Sequence, residues 1–224
     1  MIQRPDLALN VVMLGPPGAG KGTQSERFAR TNGLPKIATG DILREAIHAD
    51  TAVGRSAKAT IYSGGLVGDD VMIGIVGDRL ARPDTKAGFV LDGFPRTVTQ
   101  ASALDAIVND RGPLVVVDIV VPEDVLLRRL AARRICGNCG VNAPIEWTTV
   151  CKNCGGELVH RIDDSDGVVA DRLKVYHRQT LPIVEFYSAR PTFRTIDGNQ
   201  PPDVVTAAMD AAIKEASVVT GAQR

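Results

Sequence analysis

The apolar positions of the chain gather into short unbroken runs separated by longer stretches in which they recur every three to four residues. Val11 to Leu14, Phe89 to Leu91 and Leu114 to Val121 are predominantly apolar runs flanked by glycine, proline or polar residues, so they read as buried strands, and Phe193 to Ile196 reads as a last strand. Pro35 to Ala38 reads as a shorter one. Between them, helical spacing is expected over 21–31, 42–48, 52–63, 69–82, 97–109, 123–134, 166–189 and 203–218. Asn32-Gly33, Gly64-Gly65 and Pro83-Asp84 supply the stops, Thr39 or Asp41 a cap for the second helix, and Pro122 the first residue of the sixth. Strands without alternation, joined by helices, predict an α/β fold: a parallel, doubly wound sheet covered on both faces. The pattern breaks between Ile135 and His160, where no helical period survives and an inserted unit is expected. Gly221 to Arg224 are expected to fray.

The first strand runs into Gly15-Pro-Pro-Gly-Ala-Gly-Lys21-Gly-Thr23, and a helix follows at once. Glycines let the backbone come close to an anion, converging N–H groups bind its oxygens, the helix terminus adds positive potential and Lys21 brings a point charge. The spacing is that of a phosphate-binding loop, with Gly22 where such loops place a hydroxyl and Thr23 one position later, so direct magnesium ligation by the loop is not expected. An ordinary glycine–proline turn is the plainer alternative.

Composition narrows the partners. The 224 residues carry 26 Lys plus Arg and 26 Asp plus Glu, so nothing favours nucleic acid or an anionic membrane at long range, and an anion site must be local. The N-terminus has no signal-like apolar run and no stretch approaches a membrane span, which leads us to expect a cytoplasmic protein. Its four cysteines, Cys136, Cys139, Cys151 and Cys154, form C-x2-C, eleven residues, C-x2-C, with glycine after each second cysteine. Paired thiolates on tight turns suit a structural tetrahedral Zn²⁺, in a segment too small for a core of its own. A disulfide pair, an iron–sulfur centre and free thiols are the alternatives.

Asp92 ends a buried strand near the loop, where an aspartate holds magnesium through water or caps a helix. Arg44, Arg96, Arg129, Arg133, Arg161 and Arg172 each fall near a junction between expected units, with Arg129 and Arg133 spaced to share one helix face. Singly, each reads as a surface charge; the set does not. His48, His160 and His177 read as surface or structural.

With LGPPGAGKGT, ATGDILR at 38–44, GGLVGDD at 64–70, LDGFPRTVTQ at 91–100, RLAARR at 129–134 and HRIDDSDGVVADRL at 160–173 in order, the chain resembles adenylate kinase over nearly its whole length, in the bacterial long form with a zinc-binding lid. The resemblance implies a Mg²⁺-dependent enzyme interconverting ATP plus AMP with two ADP. A P-loop core would span 1–37, 68–132 and 165–224, an AMP-binding domain 38–67 and the lid 133–164. Gly18, Ala19, Gly20, Lys21, Gly22 and Thr23 would hold ATP phosphates, with Arg133, Arg129 and Gln200 also on the ATP side. Thr39, Arg44, Gly65, Leu66, Val67, Gly93, Arg96 and Gln100 would form the AMP pocket, Gln100 reading the base. Arg161 and Arg172 would lie between the nucleotides, and Lys21, Arg96, Arg133, Arg161 and Arg172 would carry catalysis. Asp92 would meet Mg²⁺ through water. A monomer is implied.

Three positions depart from the family pattern. The linker between cysteine pairs is short, Val141-Asn142-Ala143-Pro144 replaces a hydroxyl–tyrosine pair and leaves the lid's contact to ATP unassigned, and Gln200 stands where lysine is frequent. A kinase for GMP or for UMP and CMP is the nearest alternative, and a non-catalytic P-loop or zinc-ribbon binding protein the more distant one.

Overall fold

The computed structural model describes residues 8–144 and 146–221. Five strands form one sheet, β1 (Leu9–Leu14), β2 (Lys36–Ala38), β3 (Gly88–Asp92), β4 (Leu114–Val120) and β7 (Phe193–Asp197), in the order β2-β3-β1-β4-β7 with every pairing parallel. The hydrophobic reading therefore holds in kind and in place. Each strand divides its side chains by parity: Val11, Met13, Val115, Val117 and Ile119 face one core with Phe28, Leu130 and Met209, while Val12, Leu14, Leu114 and Val116 face the other with Leu104, Ile183 and Tyr187. Two covered faces are why these strands show no alternation of polarity.

The helices are α1 (Lys21–Asn32), α2 (Thr39–His48), α3 (Ala52–Tyr62), α4 (Asp69–Leu80), α5 (Val98–Val108), α6 (Glu123–Ala132), α7 (Asp166–Val175), α8 (Leu181–Ser188) and α9 (Pro202–Gly221). Side-chain caps form at Thr51, which accepts from the Gly54 amide, and at Thr97, which accepts from the Gln100 amide. Three expectations about helix ends are corrected. α2 starts at Thr39, because the Thr39 hydroxyl donates to the Gly93 carbonyl at 2.8 Å and Asp41 is taken by Arg44, so neither caps. Pro122 is the residue before α6, its ψ of 143° being extended. The helix expected over 166–189 is interrupted by a π-helical turn, Tyr176–Thr180, in which the Leu181 amide donates to the Tyr176 carbonyl. Of the C-terminal segment expected to fray, residues 222–224 lie outside the described residues, and Gly221 ends α9.

Two pieces stand between the sheet's connections. α2 and α3 form a hairpin after β2, held so close that a Cβ on Gly54 would lie 2.0 Å from the Ala46 carbonyl oxygen. Between α6 and α7, β5 (Arg134–Cys136) and β6 (Leu158–His160) pair antiparallel and carry the two cysteine turns. The hydrophobic cluster of this unit is small: Cys136, Cys151 and Leu158 are buried, with Val141, Ala143 and Trp147 packed beside them. No described helix is long and apolar enough to cross a membrane.

Candidate active site

β1 delivers its chain to the loop at the carboxyl edge of the sheet, where a parallel α/β sheet places ligands. Gly15, Gly18 and Gly20 all have positive φ, and a side chain on Gly15 would meet the Ile119 carbonyl at 2.6 Å. Nothing lies within 4 Å of where a Cβ on Gly20 would sit, so the loop's amides border open space. Ala19 is packed beneath, and Gly198 of the β7–α9 loop lies against its carbonyl. Lys21 folds over the arch and its ammonium donates to the Gly15 and Pro16 carbonyls at 2.6 and 2.8 Å. Burial lowers its pKa to about 8, Asp92 resisting and Arg96, Arg172 and Arg133 reinforcing the shift. This ammonium is thus short of anionic partners.

The second half of the site is a cavity open to solvent. Its lining combines apolar side chains, Leu43, Ile61, Leu66, Val67 and Met72, with four arginines, Arg44, Arg96, Arg161 and Arg172, and with Gly65. Thr39, Gly93 and Gln100 complete the wall. Thus all ten residues that the resemblance assigns to the monophosphate side converge on one cavity. Arg96 is fixed at three points. Its Nε donates to the Gly93 carbonyl at 2.8 Å, its amide to Gln100 Oε1 at 2.8 Å, and its own carbonyl accepts from the Thr180 hydroxyl at 3.0 Å. The last contact comes from the π-turn, a feature common where a helix serves a site.

Four groups in this region were not singled out from sequence. Asp164, with 2% of its side chain exposed, accepts from Arg133 Nε at 2.6 Å and Nη2 at 2.5 Å and from Arg172 Nη1 at 2.6 Å. Asp163 accepts from Arg161 at 2.9 and 2.6 Å; burial would push its carboxyl up, but Arg161, Arg172 and Arg44 outweigh that and hold it at about 2. Asp69 binds Thr97 and Gln100. Asp118, two residues before the end of β4, is buried with Oδ1 unpartnered, and burial raises its pKa against the pull of Lys21. The available signal was the pair of acids beside Arg161, in a chain whose other site residues are cationic.

Arg129 and Arg133 do not share a helix face. α6 ends at Ala132, Arg133 turns to an extended ψ of 129° and reaches Asp164, whereas Arg129 donates to the Gly198 carbonyl at 2.9 Å. Gln200 is exposed and donates to Asp197 at 2.8 Å, in that same β7–α9 loop. From the lid, the Asn142 carboxamide comes within 3.8 Å of a Cβ placed on Gly22, and Asp92 Oδ2 within 3.4 Å. The segment left unassigned from sequence therefore approaches the phosphate loop.

The four cysteine sulfurs lie within 4.8 Å of one another, with Cys136–Cys154 at 3.4 Å and Cys139–Cys151 at 3.6 Å. Thiolates ~2.3 Å from a tetrahedral ion are about 3.8 Å apart, so the group has the size of a zinc site. In each turn the following glycine has positive φ, and its amide donates to the first cysteine's carbonyl, Gly140 to Cys136 and Gly155 to Cys151. The Cys139 amide donates to the Cys136 sulfur and helps bring its pKa down to about 6. The Cys154 thiol, although the Gly156 amide lowers it, is pushed up to about 12 by the neighbouring sulfurs, and Cys139 is raised as well, so gathering all four as thiolates calls for a cation among them.

A family model described as Adenylate kinase matches residues 13–192. Curated proteins named Adenylate kinase include one from Moorella thermoacetica, 45% identical over 212 residues that cover 92% of this chain and 98% of the relative. Another, from Bacillus cytotoxicus, has the same identity and coverage. One from Archaeoglobus fulgidus is 43% identical over 199 residues, 86% of this chain and 92% of the relative.

Proposed function

The chain belongs to the adenylate kinase family, and from that premise we propose that it moves the γ-phosphoryl group of ATP onto AMP, reversibly, giving two ADP and balancing the adenine nucleotide pool. ATP phosphates sit on the loop of Gly18, Ala19, Gly20, Lys21, Gly22 and Thr23, with Arg129 and Gln200 on the adenosine side. AMP occupies the cavity, base toward Leu43, Ile61, Val67 and Met72, phosphate toward Arg44 and Arg96. The observation that carries this reading is the cavity itself: a lining that combines apolar side chains able to pack on a base with four arginines able to hold phosphate, near Lys21.

No general base is needed. A nucleoside monophosphate loses its second proton near pH ~6 and is an anionic nucleophile at neutral pH. What the reaction needs is charge compensation and in-line approach, and Lys21, Arg96, Arg133, Arg161 and Arg172 provide both as positioned cations. Arginine serves because its planar fork holds two oxygens and keeps its charge. Asp163 and Asp164 hold Arg133, Arg161 and Arg172 in place when buried cations would otherwise be costly. Asp92, a hard oxygen ligand beside Gly22, fits Mg²⁺ held through water, which when bound with ATP would neutralise phosphate charge. The four cysteines fit Zn²⁺, whose part is to stiffen the lid. The lid and the α2–α3 hairpin exclude water, the competing phosphoryl acceptor.

A coupled assay for ADP from ATP plus AMP with Mg²⁺ tests the reaction. Arg96→Ala is expected to lower kcat by about 100-fold or more, the usual loss of one preorganised donor. ADP production that ignores AMP, or an Arg96→Ala enzyme of unchanged kcat, would refute it.

A further inference from the structure

Gln100 is 2% exposed, yet it lines the cavity. Its carboxamide is held by two partners that leave no choice of orientation. The Arg96 amide can only donate, and it meets Oε1 at 2.8 Å; the Asp69 carboxylate can only accept, and it takes a proton from Nε2 at 2.8 Å. Asp69 Oδ1 also accepts from the Thr97 hydroxyl at 3.0 Å, and Thr97 in turn caps the helix that bears Gln100. Reversing the amide would set N–H against N–H at Arg96 and oxygen against oxygen at Asp69. One lone pair on Oε1 and one N–H on Nε2 remain unused.

We propose that Asp69 is a specificity-determining positioning residue: its carboxylate locks the polarity of the Gln100 carboxamide, so that the cavity accepts a base presenting an acceptor beside a donor and rejects the reverse. Adenine has that edge, an N1 acceptor beside the N6 amine. Hypoxanthine and guanine present an O6 acceptor beside an N1–H donor, which the locked amide mismatches and a reversed amide would match. Asp69 does not touch the base; it acts through Gln100. It is also the first residue of α4, directly after the cavity wall of Gly65, Leu66 and Val67, so the lock sits where the α2–α3 hairpin rejoins the core.

The inference rests on the reading of the cavity as the AMP site, and the experiment separates the two. Steady-state kinetics compare AMP with IMP as acceptor for the wild type, Asp69→Asn, Asp69→Ser and Asp70→Asn. Asp70 is exposed in the same first turn of α4 and does not reach Gln100, so its variant loses the helix-dipole contribution but not the lock. The expected result is that the ratio of kcat/KM for AMP over IMP falls about tenfold in both Asp69 variants, as one charge-assisted hydrogen bond is worth. The change should lie in KM for the acceptor, with KM for ATP kept and Asp70→Asn behaving as the wild type. A wild type that makes no ADP from AMP overturns the cavity assignment and this inference with it. Turnover with AMP and a base preference unchanged in folded Asp69→Asn or Asp69→Ser overturns the inference alone, as does an equal fall in Asp70→Asn.

Discussion

Lys21 carries the clearest dependence on pH. Its pKa is near 10.5 in an unfolded chain and about 8 in the fold, lowered by burial. Between those values the unfolded chain keeps a proton that the folded one has released, so the unliganded fold gains stability as pH rises from 8 to 10.5. Phosphates restore the charge, so nucleotide binding takes up a proton in that window and weakens as pH rises. Calorimetry of ATP binding at about pH 9, in two buffers of different ionisation enthalpy, should show uptake approaching one proton, and none in Lys21→Met. The residues of this loop were readable because a glycine-rich turn between strand and helix has few other uses. Asp163 and Asp164 were not, since a carboxylate before a helix reads equally well as a cap, and only folding shows that they face Arg133, Arg161 and Arg172.

Among the elements, the cysteine-bearing unit between α6 and α7 is the one expected to depend most on something outside the chain. A hydrophobic cluster of three buried residues cannot hold it together, and its four sulfurs are spaced for an ion. The chain's one Trp, Trp147, packs against this small cluster and so reports on it. A chelator, or Cys136→Ser, is expected to shift the Trp147 emission to the red and lower the melting temperature by several degrees while far-UV dichroism barely changes. Full loss of turnover with stability and emission unchanged would contradict a stiffening role for the metal. Cysteine spacing alone made this unit legible, since paired C-x2-C turns have few uses besides holding a metal. The end of α6 was not, because the helical period runs through Arg133 without a stop signal, and that concealed how Arg129 and Arg133 part.

At the scale of the molecule, a chain with balanced charge gathers four guanidiniums, those of Arg44, Arg96, Arg161 and Arg172, in one cleft beside the α2–α3 hairpin and the sheet edge. If nucleotides bind there as proposed, they are expected to stabilise the fold by about 2.7 kcal/mol at a hundredfold excess over Kd. Hydrogen exchange should show this gain unevenly. Amides of α2, α3, β5 and β6 should gain protection with ADP, while those of β1 and β4, already closed on both faces, should hardly change. Uniform protection over the whole chain would argue against two closing pieces.

The π-turn at Tyr176–Thr180 has an engineering corollary. Such a turn is one residue longer than the regular helix it replaces, so a single deletion within it would leave a continuous rod from Asp166 to Ser188. That rod would be sound by every local criterion, yet the hydroxyl of Thr180 would swing about 100° away from the Arg96 carbonyl. The irregular spacing is in effect a shim, and straightening it would give a tidier helix and a loosened Arg96.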